Sequence, residues 1–383
     1  MRRLHTAARP DHLRRVEAQG LLFHTVAGGR PYWSEEVYYE LTRAEVEAVE
    51  AASAELHELC LAAAQTVIDG RRFAELGILP AAVPLIERSW EQEPPSLYGR
   101  LDLALGPDGV PKLLEYNADT PTSLLESAVI QWTWLSEQFP GRDQFNSIHE
   151  RLIDTWKDLR PSFSPGLVHF AHVESLEDEM TVGYLRDTAE QAGLSTAAIL
   201  VEDLGWSAAL HDFVDLEGRP IRTLFKLYPW EGLASDPFAP LLDQARGLQW
   251  IEPAWKALLS SKGLLPILWE LFPGHPNLLP AARELRGLPD AKGWVRKPLH
   301  GREGSNVTIE ASGVQVATPG PYGAEGFIYQ AYTDLGEHEG LRPMVGSWLI
   351  GGQPAGLGIR ETAGYVTDNT ASVVPHVISA GGA

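Results

Sequence analysis

Residues 98–118 read YGRLDLALGPDGVPKLLEYNA, two alternating runs on either side of Gly106-Pro107-Asp108-Gly109. Strong turn formers between period-two apolar runs predict an antiparallel hairpin. Closing it symmetrically over those four residues sets Arg100 against Glu115. Alternation then turns Arg100, Asp102, Glu115 and Asn117 to one side, and Leu101, Leu103, Leu114 and Tyr116 to the other. A bulge would slip that register by one residue. Two carboxylates and an amide oxygen are the hard oxygen donors that Mg2+ takes. Taken alone, the hairpin reads at least as well as a half-exposed sheet face with an Arg–Glu pair across its strands. The run that follows, EYNADTPTS, leads into a helix capped by Ser123 with Glu126 three residues on, and its polar entry suits an anion. That helix carries Leu124, Leu125, Val129, Ile130, Trp132 and Trp134.

The rest of the chain sets limits on what this hairpin serves. At 383 residues, 44% hydrophobic and 21% charged, the chain is long and apolar enough for a sizeable core. Its 31 Lys+Arg against 51 Asp+Glu, a formal charge of −20, disfavour nucleic acid and anionic membranes and favour cationic small molecules. One cysteine, Cys60, excludes an intramolecular disulfide and a Cys-rich metal site. It falls on the buried stripe of the clearest helix, residues 42–69, which begins with the capping box Thr42-Arg43-Ala44-Glu45. A packed, unreactive thiol is expected there. The Arg-rich N-terminus contains Asp11 and Glu17 and lacks an apolar region, so it reads as mature sequence. No apolar run nears the roughly 18–20 residues that span a bilayer, and a reduced cytoplasmic protein is expected.

Alternating strand and helix patterns over 161–228, including GLVHFAHV, STAAILV and the pair in DFVDLEGRPIRTLFKLY, predict an inserted α/β subdomain. His169 and His172 fall on opposite faces of the first of these strands, which excludes a shared metal. Residues 250–292 read as helical with Pro/Gly breaks, and short strands dominate from 293 onward. The expected organisation is one unit over 1–383. Its sub-regions are 1–160 with the hairpin, 161–250 as the insertion and 251–383 as a nucleotide-binding lobe. No G-x-S-x-G or Cys/His pattern points to a hydrolase.

GWVRKPLHGREGSNVTI (293–309) reads as strand, glycine-bearing loop, strand. It is neither a Walker A sequence nor a dinucleotide fingerprint. Gly301 and Gly304 still allow backbone N–H groups close to phosphates, Ser305 and Asn306 add donors, and Lys297 on the feeding strand reaches toward them. Lys262 borders a helix, and Arg360 stands beside Glu361 at a strand end, placed either for an ion pair or to neutralise a phosphoryl group. Taken singly, such lysines are more often surface charge, and such a glycine loop is more often a plain hairpin turn. Gln330 follows an apolar strand, where backbone and amide groups could read a purine edge. FKLYPWE (225–231) offers Lys226, Trp230 and Glu231, which suit either an amine or core packing of the tryptophan.

Taken together, YGRLD, LLEYNADTPTSLLESAVIQW, FKLYPWE, EPAW, ELFPGHPNLLPA, KPLHGREGSNV and GSWLI resemble the glutathionylspermidine synthetase family, in the same order over about residues 10–378. The resemblance implies an α+β ATP-grasp fold with ATP between two lobes. It implies amide formation in two steps through an acyl phosphate. Carried over, it assigns Asp102, Glu115 and Asn117 to Mg2+, and Arg100 and Arg360 to the transferring phosphoryl group. Lys262, Lys297 and the loop around Gly304, Ser305 and Asn306 would hold the nucleotide phosphates, with Gln330 near the adenine. Thr120, Ser123, Lys226, Trp230 and Glu231 are candidate substrate contacts. The implied partners are a glutathione-like peptide carboxylate and a polyamine-like or amino acceptor, with no nucleic acid and no membrane. The chain resembles the short branch without the amidase domain of bifunctional members. An ATP-binding or regulatory protein of the same fold, without ligation, is the alternative.

Overall fold

The structure is a computed structural model that describes residues 1–26, 30–245, 247–289 and 292–380. Two five-stranded antiparallel sheets frame its centre. In the first, the strands run in the order Ser372–Val374, Gln353–Thr362, Arg342–Ile350, Tyr98–Leu105, Pro111–Asn117. In the second the order is Ala281–Ala282, Phe327–Ala331, Gly293–Pro298, Thr308–Ala311, Val314–Ala317. The first will be called the hairpin sheet and the second the loop sheet.

The hairpin strands thus pair with residues more than two hundred positions downstream. Tyr98–Leu105 is an inner strand, buried along its whole length. The half-exposed alternative therefore fails: Arg100 and Asp102 are only 5% and 2% exposed. The long helix Arg43–Asp69 covers the back of this sheet, and Leu101, Leu103 and Tyr116 join its apolar stripe in one core. Its capping box forms as expected, with Thr42 and Glu45 each accepting from the other's backbone N–H. Cys60 lies inside the stripe, and burial pushes its thiol up to about 12.

The expected insertion contains a four-stranded parallel sheet, Gln249–Ile251, Thr223–Leu227, Leu167–His172 and Ser195–Leu200, with the helix Leu176–Gln191 crossing between its last two strands. DFVDLEGRPIRTLFKLY is not a strand pair. Asp212–Val214 pairs with Gly205–Ser207, whereas Thr223–Leu227 joins the parallel sheet. Arg2–His5, Val37–Leu41 and His376–Ile378 form a small sheet that ties the N-terminal strand to the C-terminal one.

The helix after the hairpin differs from its expected form. Ser123 has φ +67, and its hydroxyl meets Tyr32 Oη at 3.1 Å rather than capping a helix N–H. Glu126 accepts from the same phenol at 2.7 Å, so no capping box forms. A π-helical turn, Glu126–Ile130, precedes the α-helical Gln131–Gln138. The wider turn changes the phase of the helix, leaving Trp132 47% exposed while Trp134 is buried. Among the described residues, no helix is long and apolar enough to cross a membrane.

Candidate active site

The hairpin register is not the symmetric one. Asp102 faces Glu115 and Arg100 faces Asn117, while nearer the turn Leu103 faces Leu113. Leu114 is the extra residue of a β-bulge between these two stretches. Instead of turning to the back, Leu114 lines the site cavity, and its carbonyl accepts from Lys297 Nζ at 2.9 Å. The bulge slips the register and brings Asp102 and Glu115 level. Asn117 Nδ2 donates to Asp102 Oδ2 at 3.1 Å and to Glu115 Oε1 at 3.3 Å.

Arg100 grips Asp102 with both ends of its guanidinium, Nε at 2.6 Å and Nη2 at 3.0 Å, and sends Nη1 to the Thr122 carbonyl at 2.5 Å. Gly346 on the neighbouring strand makes room for it, since a Cβ there would sit 2.8 Å from Arg100 Cδ. Arg360 reaches Asp102 Oδ2 from the next strand at 3.4 Å. Burial opposes the Arg100 charge, but Asp102 outweighs it and the guanidinium is held above its usual range. Arg360 is pushed the other way, first by burial and then by Arg100.

The loop sheet supplies the opposite wall. Lys262 lies between the helices Lys256–Ser260 and Leu264–Leu271, with Nζ 3.0 Å from Glu115 and 2.8 Å from the Gly301 carbonyl. Lys297 Nζ also meets Gln330 Oε1 at 2.7 Å. Burial disfavours the Glu115 charge, yet Lys262 and Lys297 outweigh it and hold its pKa at about 2. Burial brings Lys297 down to about 8, partly offset by Glu115. Gly304 (φ +66) closes the loop where a Cβ would sit 2.5 Å from Val366 Cγ1.

A cavity of about 130 Å³ lies between the sheets, touched by Asp102, Glu115, Lys262, Lys297, Ser305 and Arg360. Val295, Ile309, Leu335 and Met344 give it an apolar end. Lys262, Lys297 and Arg360 line it with the carboxylates Asp102, Glu115 and Glu303, and Arg100 behind Asp102 leaves a local excess of one positive charge, which suits a polyanion.

Several predicted residues are differently disposed. Gln330 lines the cavity, but its carbonyl end takes Lys297 and its Nε2 donates to the Leu113 carbonyl at 2.9 Å; it braces Lys297 instead of offering a free amide to a base. Asn306 turns its amide to the Tyr322 carbonyl. Lys226 is 1% exposed and paired with Asp119, its ammonium 4.6 Å from the Trp230 ring, and Trp230 is itself buried. That trio is core, because Asp119 and the Tyr228 carbonyl already satisfy the lysine. Glu231 and Thr120 both bind Arg302 of the glycine loop, at 3.2 and 3.0 Å.

Arg302 stands within the quoted loop but carries no local signal, because its contacts lie over seventy residues away. Glu126, expected as a capping partner, bonds Tyr32 instead, and Glu177 stands in no sequence motif. Glu177 is raised to about 7 by burial and by Glu126, Asp178 and Glu303, with Arg360 nearby acting in the opposite sense. An acidic wall thus stands beside Arg360.

Among the described residues, no three His, Cys, Asp or Glu side chains assemble for a metal. Asp102 is already neutralised by Arg100, and Glu115 by Lys262. This donor set does not suit a bare cation, but two carboxylates with an amide fit Mg2+ that shares its shell with phosphate oxygens. Asn117 would have to turn its amide to present Oδ1. A roomier cavity of about 780 Å³ lies behind the hairpin sheet and lacks this charge cluster.

The glutathionylspermidine synthase preATP-grasp family model matches residues 3–379. A Haemophilus influenzae protein provisionally named an acid–amine ligase is 41% identical over 383 aligned residues, spanning 96% of this chain and 97% of its own. Trypanothione synthetase of Crithidia fasciculata is 30% identical over 82% of this chain, which spans about half (52%) of that protein's length. Among solved structures, a glutathione synthetase-like effector from Globodera pallida superposes with a TM-score of 0.57 at 9% identity, covering 98% of this chain and 100% of the other. The two antiparallel sheets with the cavity between them are thus a mixed α+β fold of the ATP-grasp type. The chain belongs to the glutathionylspermidine synthase preATP-grasp family of ligases.

Proposed function

We propose that this chain is an ATP- and Mg2+-dependent carboxylate–amine ligase that works through an acyl phosphate. The observation that carries this reading is the cleft between the two sheets. There Arg100, Arg360, Lys262 and Lys297 surround Asp102 and Glu115 beneath the glycine loop. Phosphoryl transfer depends on positioning and charge neutralisation rather than on a covalent protein group, and this set supplies both.

In the first step a carboxylate oxygen of the donor attacks the γ-phosphorus and the bond to the β-phosphate oxygen breaks, releasing ADP. Arg100 and Arg360 stand where charge spreads over the transferring group. In the second, the amine nitrogen attacks the acyl carbon, the C–O bond to phosphate breaks, and the nitrogen passes its proton to the departing phosphate. Lys262 and Lys297 hold nucleotide phosphates, and the apolar end near Val295 and Met344 receives the base. Asp102, Glu115 and Asn117 with its amide turned would hold Mg2+, which would supply charge neutralisation at the phosphates.

At about 130 Å³ the cleft is smaller than the roughly 300–1,000 Å³ typical of ligand sites. The loop carrying Gly301–Asn306 therefore lifts to admit nucleotide, breaking the Arg302 contacts to Thr120 and Glu231. The acidic wall of Glu126, Glu177 and Asp178 beside Arg360 favours a cationic amine, in keeping with the names of the relatives. By the same names, a glutathione-like peptide is the first donor to test. We place the protein in the cytoplasm and treat 1–383 as a single unit with the sub-regions given above.

The deciding assay is release of ADP and phosphate, with product identified by mass spectrometry. Turnover is expected only when carboxylate and amine are both present. Tight MgATP binding with no acceptor-dependent turnover across peptide and polyamine panels would instead make this a nucleotide-binding protein of the same fold.

A further inference from the structure

The cavity behind the hairpin sheet is built from one face of each of two helices. His57, Leu61 and Gln65 come from Arg43–Asp69, at a spacing of four, and Thr155 and Asp158 from Ile148–Leu159. Trp90 and Trp255 form an aromatic corner, edge to face at 5.4 Å. Trp90 Nε1 donates to Gln65 Oε1 at 2.8 Å, which fixes the indole. At the mouth, the carboxylates of Glu93 and Asp158 have no hydrogen-bond or ion-pair partner among the described residues, while Asp154 is held by Lys157 at 2.9 Å. Arg151 is the one cation among the lining residues.

His57 stands at the floor and is 7% exposed. Its Nδ1 is 3.0 Å from Tyr116 Oη. Its Nε2 has no protein partner and points toward Gly352, where a Cβ would sit 3.2 Å away. Burial, and after it Lys256, bring the imidazole down to about 4, so it is neutral near pH 7. With Nδ1–H donated to Tyr116, Nε2 presents a lone pair to the cavity.

We propose that this cavity is a second small-molecule site, separate from the reaction centre, for an ammonium carried on an aromatic or compact apolar body. The Trp corner, Leu61 and Ile350 receive the body. The cation meets the unpaired Glu93 and Asp158 at the mouth or donates to His57 Nε2 at the floor. Unpaired acids outnumber the single arginine, so phosphates and other anions are disfavoured. Because Tyr116 lies between Glu115 and Asn117 on the hairpin strand, the His57–Tyr116 bond physically links an occupant to the site on the other face.

Phenethylamine is the probe, titrated into the full chain by calorimetry, with phenethyl alcohol as its uncharged counterpart. Saturable binding of the amine is expected, weaker by about five-fold or more for the alcohol and for the Glu93→Gln/Asp158→Asn double variant. Leu61→Trp, which fills the cavity, is expected to abolish it. MgATP affinity, measured on the same variants, should remain that of the parent protein. The exposed acid substitutions keep the test interpretable if Leu61→Trp fails to fold. No saturable heat up to about 10 mM would overturn the proposal. So would equal binding of the alcohol, or amine binding that MgATP displaces and the double variant leaves untouched.

Discussion

Two of the buried lysine–carboxylate pairs differ in what surrounds them, and of these two only one borders the cleft. Lys226 and Asp119 are each 1% exposed, and the polar atoms of the pair itself are engaged. The lysine also donates to the Tyr228 carbonyl at 3.1 Å, and Asp119 accepts the Trp230 N–H at 2.8 Å. Burial pushes the lysine pKa down and the carboxyl pKa up, each toward its neutral form. Lys262 and Glu115 border the cleft between the sheets, with side chains 8% and 26% exposed, and a second lysine beside them keeps Glu115 ionised. A pair satisfied on all sides holds the fold together. A pair with surplus charge facing space is prepared for a ligand.

That contrast can be broken experimentally. The largest effect is expected for Asp119→Asn, which leaves a buried ammonium without its counter-charge and should lower unfolding stability by roughly 3–5 kcal/mol. Chemical denaturation measures this; a loss no larger than that of Glu115→Gln would erase the distinction. Glu115→Gln should instead lower turnover by about two to three orders of magnitude, with the folded state retained by circular dichroism. An unchanged rate would remove Glu115 from the metal and phosphate set. Arg360→Ala is expected to reduce kcat by about a hundredfold while MgATP affinity changes only a few-fold. A defect confined to affinity would deny it a phosphoryl role.

The smallest effect is one of pH. Lys297 has its pKa lowered to about 8 by burial, and phosphates favour its charged form. MgATP affinity should therefore be complete below pH 8 and decline above it, by up to about tenfold at pH 9. Glu115, held at about 2, stays ionised throughout that range. Titration calorimetry at pH 7, 8 and 9 checks the slope, and Lys297→Met should flatten it.

The sequence by itself determined the elements whose signals are local. Turn residues at 106–109 mark the hairpin, Thr42–Glu45 caps the long helix, and alternation marks Arg100 and Asp102 as neighbours on one face. Tertiary structure alone decided what those elements mean. The bulge at Leu114 arises where the hairpin strand meets Lys297 from another sheet, so no symmetric turn rule could anticipate the pairing of Asp102 with Glu115. Ser123 lost its cap because Tyr32, ninety-one residues earlier, takes its hydroxyl. The inner-strand position of Tyr98–Leu105 depends on residues 342–350, and that burial converts a plausible surface ion pair into a desolvated charge cluster. Short-range propensity acts within a turn or two of chain. Desolvation and charge excess depend on which distant segments close over a group, and only the folded chain brings those segments together.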